Sequence, residues 1–408
     1  LHKEYRRQRQ MCIRDRSKNG EMSMKSILFD VDGVFLSEER CFDVSALTVE
    51  ELLKSDDFLG LDSAQNFNYM NDELIEDIRT RVFLNDQILN QLKSLGLNSN
   101  WDMLFVVFSI HFIHLLKQLD SETIRQVTHV ETFSVETLRE LQSYNDQFKV
   151  NYAVPLKFIQ NSQSGKENIY LELEGYAKDQ LNIENAKLFN LKSPLWNLAR
   201  AVYQEWYLGT TLYEKVEKLT PLSIPKSGFI YEEMILRPVE EIKTLLNDIK
   251  QAGFNIAIAT GRPRTETIVP FESFGLKTFF NEKHIVTASE VLKAESVFPK
   301  EGPLGKPNPF SYIATLYGNN ERDYLHYIQN QTHIVNEDDV FIVGDSLADL
   351  LCAKKIGATF IGTLTGLSGE GAKEELEQHG ADYIVNHICD IRPVSYTHLR
   401  AHETEADL

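Results

Sequence analysis

Cysteine is the first shortage. Four occur in 408 residues, Cys12, Cys41, Cys352 and Cys389, with no Cys-x-x-Cys or other ligand spacing among them. That excludes a thiolate metal centre and a disulfide framework, and it reads as free thiols in a reducing, cytoplasmic compartment. Positive charge is also in deficit: 42 Lys and Arg stand against 60 Asp and Glu, a net charge of −18. Nonspecific nucleic-acid binding and anionic membrane binding both need the opposite balance, so neither partner is expected. A membrane-spanning run is missing as well. The apolar stretch over 101–116 is shorter than the ~20 residues a bilayer requires, and Asp102, Ser109, His111 and His114 interrupt it. It reads as a buried helix capped by Asn100, and with no third ligand in view its histidines read as packed helix residues rather than metal ligands. Gly165-Lys166 is no phosphate loop, because the upstream glycine is absent. Internal repeats and low-complexity blocks are absent too.

What is present is organised around Ile27-Leu28-Phe29-Asp30-Val31-Asp32-Gly33-Val34. Three apolar residues run straight into two carboxylates one residue apart, as in a buried strand delivering acids to its C-terminal tip. In an open parallel α/β sheet that edge is where ligands bind. The period of two puts Asp30 and Asp32 on one side of an extended chain, where they repel unless a positive charge joins them. A hard divalent cation such as Mg2+ suits their oxygens and commonly accompanies phosphate substrates.

Asp-x-Asp-Gly alone is weak evidence, since Asp-Gly is an ordinary turn. Three further stretches follow in order. The first, Phe254-Asn255-Ile256-Ala257-Ile258-Ala259-Thr260-Gly261, is an apolar strand ending in a hydroxyl and a glycine. The second, Gly305-Lys306-Pro307-Asn308-Pro309, sets a lysine just before a helix that can begin near Pro309. The last, Val340-Phe341-Ile342-Val343-Gly344-Asp345-Ser346-Leu347-Ala348-Asp349, is a third strand. A helix starting at Ser346 would put Asp345 at its mouth and Asp349 one turn in, so that both approach one cation.

These four stretches resemble the motifs of the haloacid dehalogenase superfamily, specifically its phosphatase-like members. The likeness covers roughly 24–36 and 235–392. It implies a Mg2+-dependent phosphoric monoester hydrolase acting on a small phosphorylated metabolite. Asp30 would be the nucleophile that forms an aspartyl phosphate, and Asp32 the general acid and base. Thr260 would contact a phosphoryl oxygen and Lys306 would balance charge. Mg2+ would be held by Asp30, the backbone carbonyl of Asp32 and Asp345, with Asp349 ligating through water or orienting the others. Gly261, Arg262 and Ser346 are candidate substrate contacts, while Arg264 reads as a solvated helix start. Two alternatives stay open: a phosphomutase or other phosphotransferase with the same chemistry, and a catalytically quiet binding protein on the same fold. Oligomeric state is not legible.

The expected fold is a doubly wound, Rossmann-like, three-layer α/β core with a parallel sheet, at 24–36 and 233–393, split by a mainly α-helical cap over 37–232. The stretch 35–42 reads as a short polar connection, which the resemblance would make the hinge of the cap; within the cap, Thr48-Val49-Glu50-Glu51 reads as a capping box opening a helix, and Ser193-Pro194 as the start of a helix ending at Gly209. In the core, helices are expected over 238–252 and up to about Phe274, and short strands over 276–280, 285–288, 340–343, 359–362 and 383–385. Residues 1–23 and 394–408 resemble, in part, translated sequencing-adapter read-through, and Met24 looks like a natural start. Both ends are expected to be disordered or loosely attached.

Overall fold

The computed structural model describes residues 25–97, 99–393 and 399–401. The expectations for 1–23 and most of 394–408 therefore lie outside the described residues. The chain divides into two compact units, one made of the residues up to Glu38 and from Glu233 onward, the other of Glu39–Glu232.

The first unit carries a six-stranded, wholly parallel sheet. Its strands are β1 (Ser26–Phe29), β2 (Asn255–Ala259), β3 (Ile285–Val286), β4 (Val340–Gly344), β5 (Thr359–Thr363) and β6 (Tyr383–Val385), in the order β3-β2-β1-β4-β5-β6. Alternation along the strands accounts for the layering. Ile27, Phe29, Ile256, Ile258, Phe341 and Val343 share one apolar cluster with Ile242, Leu245, Leu246 and Ile249 of the helix Val239–Gln251. Leu28, Ala257, Ala259, Val340 and Ile342 point to the other, with Phe310, Tyr312 and Ile313 of Phe310–Tyr317 and Leu350, Ala353 and Ile356 of Leu347–Ile356. Both sheet faces are thus covered by helices, a doubly wound three-layer α/β fold. Sequence order runs outward from β1 in both directions, so the chain reverses beside β1, where ligand crevices of such sheets open.

Two local expectations in this unit are corrected. The stretch 276–280 forms a 3-10 turn, Lys277–Phe279, instead of a strand; Leu276 and Phe280 are buried in the first cluster, and a turn spaced by three can bury both ends without a ladder. Phe35 and Leu36, read as part of a polar connection, are fully buried, and Leu36 makes an antiparallel bridge to Ile235. Beyond the sheet, β7 (Ile391–Pro393) pairs antiparallel with β8 (Leu399–Ala401), so three residues of the C-terminal stretch expected to be loose form a ladder.

The second unit is helical, with its longer members at Glu39–Lys54, Asp72–Phe83, Asn100–Leu116, Lys166–Leu181 and Pro194–Leu208. Glu39–Lys54 runs straight through Thr48, whose hydroxyl bonds back to the Val44 carbonyl at 2.7 Å. The expected capping box is therefore mid-helix, because an upstream apolar face with Phe42, Val44 and Leu47 already packs. Asn100–Leu116 is buried on nearly all sides, but its cap is Ser99, one residue before Asn100. Pro194–Leu208 starts on Ser193 and stops at Gly209 as read. No helix among the described residues is long and apolar enough to cross a membrane. Among the described residues, Cys352 and Cys389 are free thiols.

Candidate active site

The tips of β1, β2 and β4 lie level, because Phe29 pairs with both Ile258 and Val343. Asp30, Thr260 and Asp345 therefore leave the sheet at one edge. After Asp30 the chain folds back at once: the amides of Val34, Phe35 and Leu36 all donate to the Val31 carbonyl, and Gly33 adopts φ +72°. A side chain at Gly33 would put a Cβ 2.3 Å from Asp345 Oδ2, and one at Gly366 would come within 2.0 Å of the same atom. Asp345 thus sits in a slot that only two glycines leave open. Gly344 does the same for Asp349, whose Cβ would lie 2.5 Å from an added methyl.

The helix Leu347–Ile356 begins on Ser346, whose hydroxyl accepts from the Asp349 amide and donates to Asp349 Oδ2 at 2.7 Å. Asp349 is fully buried. Its Oδ1 takes the Tyr312 hydroxyl at 2.7 Å and the Lys306 ammonium at 2.8 Å. Lys306 also reaches Asp30 Oδ1 at 3.0 Å and lies over the Tyr312 ring, 4.8 Å from its centroid. Asp30 Oδ1 accepts in addition from the Val31 amide at 2.8 Å. Carboxylate oxygens of Asp30, Asp345 and Asp349 lie within 4.8 Å of one another.

The electrostatics follow from that crowding. Burial and the neighbouring Asp349 push the Asp30 carboxyl up to about 8, against the pull of Lys306. Burial, then Asp30 and Asp349, hold the Asp345 carboxyl well above the usual carboxylate range. Burial opposes ionisation of Asp349 too, but Lys306 and the Ser346 and Tyr312 hydroxyls outweigh it and hold its carboxyl low. For Lys306, burial works against the charge, yet Asp30 and Asp349 more than offset it, so it stays an ammonium. One cation thus faces three crowded acids, two of which resist ionising.

Thr260 is buried, and its Oγ accepts from the Arg262 amide at 3.1 Å. Gly261 follows on the same turn. Asp32 turns to Arg262 instead of the acid cluster: Arg262 Nε and Nη2 meet Asp32 Oδ1 at 2.8 and 2.7 Å. Arg264 starts the helix Arg264–Ser273 and pairs with Glu282 and Glu290.

A family model described as haloacid dehalogenase-like hydrolase matches residues 208–363, the stretch holding β2, Lys306, Asp345 and Asp349. Over that stretch the chain is similar to the haloacid dehalogenase-like hydrolases. It is similar to the X-ray structure of a Northeast Structural Genomics Consortium target, with 58% identity over 90% of this chain and 97% of that one at a TM-score of 0.84. A phosphoglycolate phosphatase of Vibrio parahaemolyticus is 24% identical over 153 residues, 38% of this chain and 54% of that protein. The chain thus spans about half the length of that curated relative.

The superfamily generally uses Mg2+, and the residues here suit a divalent cation. Three carboxylates, those of Asp30 and Asp349 buried and that of Asp345 half-buried, converge with one lysine for company, and a hard cation would supply the charge they lack. Asp30 and Asp345 have oxygens open to such an ion, whereas both Asp349 oxygens already accept from Lys306, Tyr312 and Ser346. Three residues escaped the sequence reading. Tyr312 lies six residues after Lys306 and looks like any buried helix aromatic. Glu233 pairs with Arg262 Nη1 at 2.5 Å, but nothing distinguishes it from Glu232 in sequence. Gly366 stands outside every motif-like stretch.

Proposed function

We propose that this protein is a Mg2+-dependent phosphatase that cleaves small phosphate monoesters through an aspartyl phosphate on Asp30. The observation that carries the reading is the Lys306 bridge between Asp30 and Asp349 beside Asp345, a buried anionic slot with one fixed ammonium. Such a slot has little use for a neutral ligand but matches a metal and a phosphoryl group together. Mg2+, held by Asp30, the Asp32 carbonyl and Asp345, would supply positive charge that keeps these carboxylates ionised and neutralises phosphoryl oxygens.

The Asp30 carboxylate attacks phosphorus, and the bond from phosphorus to the leaving oxygen breaks. That oxygen takes its proton from the Asp32 carboxyl. Asp32, now a carboxylate, removes a proton from the water that attacks the acyl phosphate, which releases inorganic phosphate and restores Asp30. Lys306 offsets charge on Asp30 and the phosphoryl oxygens throughout, and the Thr260 hydroxyl donates to one of those oxygens. Asp349 holds Lys306 in place. Ser346, whose hydroxyl is committed to Asp349, offers substrate its position at a helix N-terminus more than its side chain.

The relative's substrate, phosphoglycolate, belongs with sugar and nucleotide phosphates in the panel that tests this. Purified protein is assayed against phosphorylated metabolites with and without Mg2+. The expected result is Mg2+-dependent phosphate release from at least one, with Asp30→Asn slower by about 1000-fold or more. Full turnover by Asp30→Asn would refute the nucleophile. An isomerised phosphate ester in place of free phosphate would make the enzyme a mutase.

A further inference from the structure

The sequence offers Arg262 as a candidate substrate contact, yet its guanidinium is committed elsewhere. It is buried, 6% exposed, and grips two carboxylates at once. Nε and Nη2 converge on a single oxygen of Asp32, Oδ1, at 2.8 and 2.7 Å, and Nη1 reaches Glu233 Oε1 at 2.5 Å. The backbone beneath it is pinned, because its amide donates to Thr260 Oγ at 3.1 Å and its carbonyl accepts from the Ala288 amide at 2.9 Å. Glu233 is equally fixed. Its side chain is 1% exposed, and the next residues are zipped to the segment leaving β1: the Ser37 amide donates to the Met234 carbonyl at 2.8 Å and the Leu236 amide to the Phe35 carbonyl at 2.9 Å.

We propose that Arg262, anchored by Glu233, is a positioning residue for the general acid Asp32, an inference that rests on the phosphatase reading above. A carboxyl that delivers a proton must have one oxygen aimed at the leaving group. The Nε hydrogen bond to Oδ1, with the charged Nη2 close beside it, ties that oxygen of Asp32 and leaves Oδ2 as the oxygen that carries and transfers the proton. The Asp32 side chain is 28% exposed, open enough to meet a substrate. The fork explains the residue type. An ammonium is a point charge on a flexible stem and cannot bond one carboxylate from one nitrogen while a rigidly linked second nitrogen reaches another. Glu233 fixes the far end of the fork, so that the guanidinium turns with neither substrate nor Asp32.

Positioning of an acid is read out by leaving group, which a merely structural role would not move. An aryl phosphate releases a stable phenolate that departs without a proton, whereas an alkyl phosphate releases an alkoxide that needs one. Wild type, Arg262→Gln, Arg262→Lys and Glu233→Gln are assayed with Mg2+ on p-nitrophenyl phosphate and on an alkyl phosphate cleaved by wild type. Melting temperature and circular dichroism check that each variant is folded. The expected result for Arg262→Gln is a loss in kcat of about 100-fold or more on the alkyl ester and only several-fold on the aryl ester. Arg262→Lys and Glu233→Gln should show the same bias at smaller size. Equal losses on both esters, or no loss on either, would overturn the proposal, and if Arg262→Gln does not fold, the two milder variants decide it. A wild type that cleaves neither ester nor any panel member would sink the phosphatase reading itself, a result distinct from an unbiased variant.

Discussion

Asp30 ends a buried strand, so its charge depends on what stands beside it. Without a bound cation its carboxyl sits at about 8, raised by burial and by Asp349. A raised acid binds its proton more tightly in the folded state than in the unfolded one. Stability is therefore fully present below the ordinary value of 3.8 and is lost as pH climbs through about 8. For one such group the slope is at most ~1.4 kcal/mol per pH unit, and Asp345, shifted the same way, adds to it. Chelator-treated protein should melt at progressively lower temperature between pH 5 and pH 8, and saturating Mg2+ should raise the melting temperature more at pH 8 than at pH 5. A Mg2+ effect independent of pH would contradict the assignment. At this scale the sequence displayed the acids, the lysine and the threonine, because their chemistry is tied to strand ends. It did not display Tyr312 or Glu233, whose roles come from partners distant in the chain.

Among the elements, the turn after β1 and the helix Asn100–Leu116 carry separable predictions. Gly33 has φ +72°, a conformation that costs an L side chain about 1–2 kcal/mol, and its Cβ would strike Asp345 Oδ2. Gly33→Ala should displace Asp345 and lower Mg2+ affinity by about 10-fold or more, measured by calorimetric titration, with the rest of the unit still folded. Unchanged affinity would remove Asp345 from the ion's ligands. In Asn100–Leu116, His111 is 2% exposed, its Nε2 has no partner among the described residues, and Tyr152 packs edge-on at 5.7 Å. Burial, then His114, pushes its pKa from 6.5 down to about 3. A depressed histidine gives stability that is whole above 6.5 and lost as pH falls toward 3, by up to ~1.4 kcal/mol per unit. His111→Leu should flatten the fall in melting temperature between pH 6.5 and pH 4. The apolar periods of two and 3.6 made most elements legible. They failed at 276–280, where five residues suit a strand or a turn equally, and at Thr48, where a true capping pattern lies inside a helix whose upstream face packs first.

For the molecule as a whole, the legible part was the sheet and what it gathers. Residues 30, 306, 345 and 349 meet, with Thr260 at the neighbouring strand tip, because strand alternation and sheet order leave one edge for them; the alternation was readable from the strands' residues, the order was not. The inserted unit was readable as helical but silent on chemistry, since apolar faces such as that of Pro194–Leu208 serve packing first. All of this converges on a single covalent claim. Enzyme quenched in acid during steady-state turnover with its best substrate and Mg2+, then digested and analysed by mass spectrometry, should carry a phosphoryl group on the peptide containing Asp30, and Asp30→Asn should carry none. A quenched enzyme that is turning over but bears no phosphoryl group there, or bears it on another residue, would contradict the account.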